Sequence, residues 1–328
     1  MIFYFLNSKA IKKYFLSVFL FFFFFEGFGQ IVTWDEPWQD DIIRESDYFL
    51  LGRVLDARPG SVKIKMLKPF GKNVDQNEIT LEGFHMLSVC NSNDSQKITF
   101  FFQMIDSVYL FLKKTEIGYC LPTPTSGFAI VANGKVLSTF RHSFHQAQLR
   151  VVDYECCMKT IWEHCKEISS TENCSSKLIE KALKKLPSEF GRSDINTFYM
   201  QHAALEVIYY TKLSYNFQSI LPFLKCNNTH LVISAARCLS NINTDESRKA
   251  LVELIGDERR DNFTKVIAAG CLKKIITPEW IPKISAIREK ANENPIAFSN
   301  NPNDPRSCTT LPSLKDALGE ILLSEKKD

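Results

Sequence analysis

The sequence predicts an α+β chain of two domains, a small antiparallel β-barrel followed by a short α-solenoid. Three observations carry that expectation. Between residues 46 and 140 apolar residues alternate, or run in short stretches, between turn signals, as they do in strands. From residue 151 onward they recur at helical spacing. Within the helical part a short motif then repeats at a fixed offset.

Residues 1–29 read as a secretory signal peptide. Lys9, Lys12 and Lys13 give a positive start, residues 15–25 are apolar except for Ser17, and Gly27 and Gly29 supply small residues before Gln30. The apolar run is shorter than the roughly 18–20 residues that span a bilayer. The mature chain is therefore expected to begin at Gln30 and to be exported, to a periplasm or the extracellular space. Taking three lysines and one glutamate from a total of +3 leaves +1. A near-neutral chain lacks the electrostatic footprint of a nucleic-acid binder. No second apolar span follows, so no stable membrane insertion is expected after cleavage.

Residues 30–45 form an acidic, aromatic arm with Trp34 and Trp38, expected to tuck onto the barrel or to stay flexible. The barrel is assigned to residues 46–150. Its first strand covers 47–55, and Arg58-Pro59-Gly60 is a turn. Val62, Ile64 and Met66 alternate with Lys63 and Lys65 in a second strand. Ile79 and Leu81 mark a third, residues 98–102 and 108–112 are apolar runs, and Asn133-Gly134 joins a hairpin because both residues tolerate positive φ. Among the ten cysteines, Cys90 and Cys120 are the candidate disulfide in this region, with a pair of buried thiols as the alternative.

Residues 151–192 are connecting helices. Lys181, Lys184 and Lys185 sit behind the stripe of Leu178, Ile179, Ala182, Leu183 and Leu186, and read as its solvated face. Residues 193–292 hold the repeat. Ala235-Ala236-Arg237-Cys238-Leu239 matches Ala268-Ala269-Gly270-Cys271-Leu272 at an offset of 33. Ala203-Ala204 is a degraded copy 32 positions earlier. A second amphipathic helix follows each copy, and one such pair cannot bury its apolar face alone, so neighbours must stack. Ala203, Ala204, Ala235, Ala236, Cys238, Ala268, Ala269 and Cys271 are the expected packing seam. Asn243 with Glu246 reads as a capping box, and Thr277-Pro278 as a helix start. Residues 293–328 read as a loop and a C-terminal capping helix.

The repeated motif resembles HEAT-like repeats, close to the armadillo type, over about a third of the chain. The family implies a stacked helical scaffold with a binding surface and carries no catalytic residues to transfer. The first strand, Asp47-Tyr48-Phe49-Leu50-Leu51-Gly52-Arg53-Val54, is similar to the opening strand of secreted netrin-like or tissue-inhibitor-type domains, which are OB-like barrels. The inhibitory N-terminal cysteine of those domains has no counterpart, since the mature chain holds no cysteine before Cys90.

No Gly-x-Ser-x-Gly elbow, phosphate-binding glycine loop or His-Glu-x-x-His helix is present. Arg141, His142 and His145, followed by Cys156-Cys157 and His164-Cys165, are the nearest approach to a chemical constellation. His142 and His145 are the residues a metal would use, against a polar corner whose histidines bond to backbone. Tyr209 and Tyr210 are candidates to line a binding surface, against core packing. No catalytic residue, metal or cofactor is assigned. The expected function is that of an exported, non-catalytic binding or scaffold protein with a protein or peptide partner. The alternatives are an inhibitor or ligand-binding module acting through the barrel, and an enzyme whose site lies near Arg141, His142 and His145.

Overall fold

The computed structural model describes residues 37–324 apart from 59, 73, 75, 85–86, 90–97, 101, 103, 105, 124–125, 139–146, 170–173, 190–193 and 298–309. A five-stranded barrel is built from β1 (Tyr48–Arg58), β2 (Gly60–Pro69), β3 (Glu78–Phe84), β6 (Ser107–Lys114) and β7 (Tyr119–Cys120). β1 pairs with β2 on one edge and β6 on the other. The two-residue β7 closes the ring, antiparallel to β6 and parallel to β3 through Leu81 and Tyr119. The barrel is thus mixed rather than wholly antiparallel as expected, and its closing strand is too short to leave a periodic signal. β4 (Leu87–Val89) and β5 (Ile98–Phe100) form a separate ribbon. The sheet continues past the ring from β6 into β8 (Phe128–Ala132), β9 (Lys135–Ser138) and β10 (Ala147–Arg150). Asn133 and Gly134 make the β8–β9 turn with φ of 52° and 73°, the hairpin geometry their sequence predicts.

Alternation decides what each barrel strand buries. Val62 and Ile64 of β2 point inward while Lys63 and Lys65 face solvent. β1 and β6 instead bury both faces. Tyr48, Leu50, Val54, Val108, Leu110 and Leu112 fill the barrel with Ile79, Leu81 and Phe102. Phe49, Tyr109 and Phe111 point outward into a second cluster that continues through the helices. That double burial is why both strands read as unbroken apolar runs. The outer face is roofed by α2 (Val151–Cys165), which starts directly after β10. Phe49 stacks on Phe111 at 4.4 Å between ring centres, Tyr154 lies 4.6 Å from Tyr109, and Trp162 is 5.7 Å from Phe49.

The arm contains α1 (Gln39–Glu45), whose Ile42 and Ile43 are buried. α3 (Cys174–Leu183) packs on α2, and a Cys156–Cys174 disulfide joins them with Cα atoms 5.9 Å apart. The expected Cys90–Cys120 pair has a different outcome: Cys120 carries a free thiol, and Cys90 lies outside the described residues. Lys184 turns to solvent and pairs with Glu180 at 2.6 Å, whereas Lys181 and Lys185 line a cleft facing Asn196, Thr197 and Met200, so the lysine face divides in two.

Six helices follow: α4 (Ile195–Tyr210), α5 (Phe217–Lys225), α6 (Thr229–Leu239), α7 (Asp245–Gly256), α8 (Asn262–Lys273) and α9 (Ile281–Glu289), with α10 (Leu314–Ser324) after a short ladder of β11 (Ile296–Ala297) and β12 (Thr310–Leu311). α4 packs on α6, α6 on α8, and α8 on α10, which also covers α9. Ala203, Ala204, Ala235, Ala236, Ala268 and Ala269 are completely buried, with Cys238 and Cys271 beside them. The Cys238 thiol donates to the Leu205 carbonyl at 3.1 Å, one repeat length away. Asn216, Asn228, Thr244 and Asp261 cap the starts of α5, α6, α7 and α8. The cap of α7 is thus one residue later than the expected Asn243, which accepts instead from Arg248. Pro278 opens a 3₁₀ turn (Pro278–Trp280) that leads into α9. Asp35–Asp328 form one compact unit, and the outer cluster crosses residue 150 without a break, where a domain boundary was expected.

Candidate functional site

α4 is buried on nearly all sides, including Gln201, His202 and Glu206. A polar group inside a core needs partners, and α6 supplies them. Ser234 Oγ donates to Glu206 Oε1 at 2.7 Å, Arg237 donates to Glu206 Oε2, and His202 Nε2 lies 3.8 Å from Oε1. The Arg237 guanidinium is enclosed by rings, 4.0 Å from the centre of Tyr209, 4.9 Å from Tyr210 and 4.3 Å from Trp38. Its burial works against its charge, but Glu206 and the tyrosines outweigh that and hold its pKa above the ordinary arginine value. Burial pushes the Tyr210 phenol up, with Arg237 opposing. The Tyr210 hydroxyl accepts from the Gln39 backbone N–H at 3.2 Å, and the Tyr209 hydroxyl accepts from Lys274 at 3.0 Å.

The structure therefore brings Tyr209 and Tyr210 together around a buried ion pair and beneath the arm. Tyr210 is buried and Tyr209 half-buried, and the arm reaches the helices as well as the sheet. Arg141, His142 and His145 lie outside the described residues. Among the described residues, no three of His, Cys, Asp and Glu gather as a metal site requires. Burial raises the pKa of Cys157 and Cys238 and pushes Cys271 up to about 11, so these thiols are held protonated.

Two of the open clefts among the described residues lie on the helices. One, of about 360 Å³, lies between α5 and α7. Its floor is Leu221, Leu224, Ala250 and Leu254, and its rim Lys225, Glu253, Asp257, Arg259 and Arg260. The rim is partly committed. Arg259 grips Asp257 through Nε and Nη2, both at 2.9 Å, and its hydrogen bonds bring the Asp257 pKa down to about 2. Arg260 caps α5 by donating to the Cys226 carbonyl at 2.7 Å. Lys225 and Glu253 are left exposed across an apolar floor. The sequence carried a signal for this cleft in the i, i+3 pair Leu221 and Leu224 and the i, i+4 pair Ala250 and Leu254, but nothing in it said that those faces adjoin. The second cleft, of about 220 Å³, lies where α3 and the start of α2 meet the first turn of α4.

No described helix is long and apolar enough to cross a membrane. Comparison of the chain with protein-family models, with curated proteins and with solved structures gives no match.

Proposed function

We propose that this is an exported, non-catalytic binding protein that holds a protein or peptide partner along the outer helices of a short HEAT-like solenoid. The observation that carries the reading is the cleft between α5 and α7, an apolar floor with charged rims between equivalent helices of successive pairs. Stacked helix pairs leave such grooves between neighbouring layers. An amphipathic segment fits this one, with apolar side chains on Leu221 and Leu224 and polar groups meeting Lys225 and Glu253. The barrel interior is filled by its own side chains, which favours the helical surface over the barrel as the place of recognition. Export is supported by the Cys156–Cys174 disulfide, a bond characteristic of oxidising compartments.

The test is affinity capture from the envelope fraction of the producing cell, using residues 30–328 and a Leu221→Glu/Lys225→Glu variant. Both positions are at least partly exposed, so the variant is expected to keep its melting temperature. A protein retained by the parent chain and lost from the variant is the expected result. Equal retention by both would remove the cleft from the function, and no retention by either would overturn the binding reading.

A further inference from the structure

The second cleft collects positive charge that the described residues do not fully neutralise. Arg150, Lys181 and Lys185 line it, from the end of β10 and from α3 and the turn after it. Lys135 of β9 reaches its edge and donates to Asn196 Oδ1 at 3.2 Å. Some lysines elsewhere meet carboxylates, as in Lys63–Glu78, Lys68–Glu155, Lys184–Glu180 and Lys273–Glu320. Here they do not. Lys185 approaches only the neutral Thr197 hydroxyl at 3.5 Å, and Lys181 has no ion-pair partner among the described residues. The one carboxylate in the lining, Asp153, is taken by Arg150 through two hydrogen bonds of 2.6 and 3.0 Å.

The floor adds a helix start, whose own Asp194 carboxylate offsets part of its positive dipole. Asn196 and Thr197 belong to the first turn of the sixteen-residue α4. The first bond within that helix runs from the Phe198 N–H to the Asp194 carbonyl, and the Asp194 side chain makes no cap. The N–H groups of residues 195–197 are thus unbonded within the helix, at the end where its dipole is positive. The lysine-bearing wall is also anchored. The disulfide fixes the start of α3 to α2, and Gln201 of α4 donates to the Leu186 carbonyl at 2.8 Å, just past the end of α3. Such anchoring lowers the ordering cost that a ligand must offset.

We propose that this cleft is a binding site for a small tetrahedral oxyanion group, a phosphate or sulfate ester. Lys181 and Lys185 would supply the charge-assisted hydrogen bonds, with the first turn of α4 beneath. The group can belong to a soluble molecule or to an anionic lipid head, and the experiment separates the two. Isothermal titration with sodium pyrophosphate at constant ionic strength is run on the mature chain, on Lys181→Gln/Lys185→Gln, and on Lys184→Gln, which removes a lysine of the same region that points away. Sedimentation with phosphatidylcholine vesicles, with and without phosphatidylglycerol, is run on the same three proteins. The expected result is saturable binding by the parent chain and by Lys184→Gln, weakened about tenfold or more in the double variant. Loss of vesicle binding in that variant assigns the site to a lipid head, and loss of pyrophosphate binding alone assigns it to a soluble ester. Equal affinity across the three proteins, or no binding of either probe, overturns the proposal. Should the double variant fail to fold, backbone amide shifts of Asn196 and Thr197 on titrating the parent chain decide, and unmoved amides overturn it.

Discussion

Arg237 shows what a single buried charge demands of its surroundings. Its guanidinium has three aromatic faces and one carboxylate, and its side chain is only 4% exposed. Removing it as Arg237→Met leaves Glu206 charged in a core, which should cost about 3–5 kcal/mol. Urea unfolding of the purified protein reads that loss, and Glu206→Leu added to Arg237→Met should recover most of it, because the isolated charge is then gone too. A single variant as stable as the parent would show that water reaches Glu206. The sequence pointed to this place without revealing its chemistry. In the register of the alanine pairs, Glu206 stands where Cys238 stands in the next copy, and Arg237 stands where the third copy has Gly270. The motif breaks at the two residues that pair, but a departure from a repeat does not say which other departure answers it. Tyr209 and Tyr210 were visible as an aromatic cluster, and their partner was not, because it lies on another helix.

At the level of elements, most helices were legible and the joints between them were not. Apolar spacing located α2 through α9 to within a few residues, but neither expected cap forms: Thr244 rather than Asn243 caps α7, and the Thr277 side chain makes no cap bond. The strand β7 was not legible, since two residues have no period, although it closes the barrel. The disulfide was not legible either. Cys156 adjoins Cys157, and in a helix adjacent side chains diverge by about 100°, so one is free to bond with Cys174 while the other is buried. Closing a loop of 18 residues should contribute roughly 3 kcal/mol. Cys174→Ser should therefore lower the melting temperature, and dithiothreitol should lower that of the parent to the same value while leaving the variant unchanged. A parent chain indifferent to reductant would show that the bond is not formed in solution.

At the scale of the molecule, the outer faces of β1 and β6 share one apolar cluster with α2 and the helices beyond it. A core with no seam should unfold as a whole. Calorimetry of residues 30–328 should therefore show one transition whose calorimetric and van't Hoff enthalpies agree. Two resolved peaks would mean that barrel and helices melt apart. The docking of the arm carries a further consequence, for the order in which the protein comes into being. Gln39 bonds to a hydroxyl 171 positions later, and Trp38 lies over Arg237. At about 5–20 residues per second, ribosomal synthesis takes roughly ten to forty seconds to travel that far. Through that interval Ile42 and Ile43 have no finished surface to cover them, so a segment made early waits to be fastened, and whatever shelters it meanwhile takes part in making the protein.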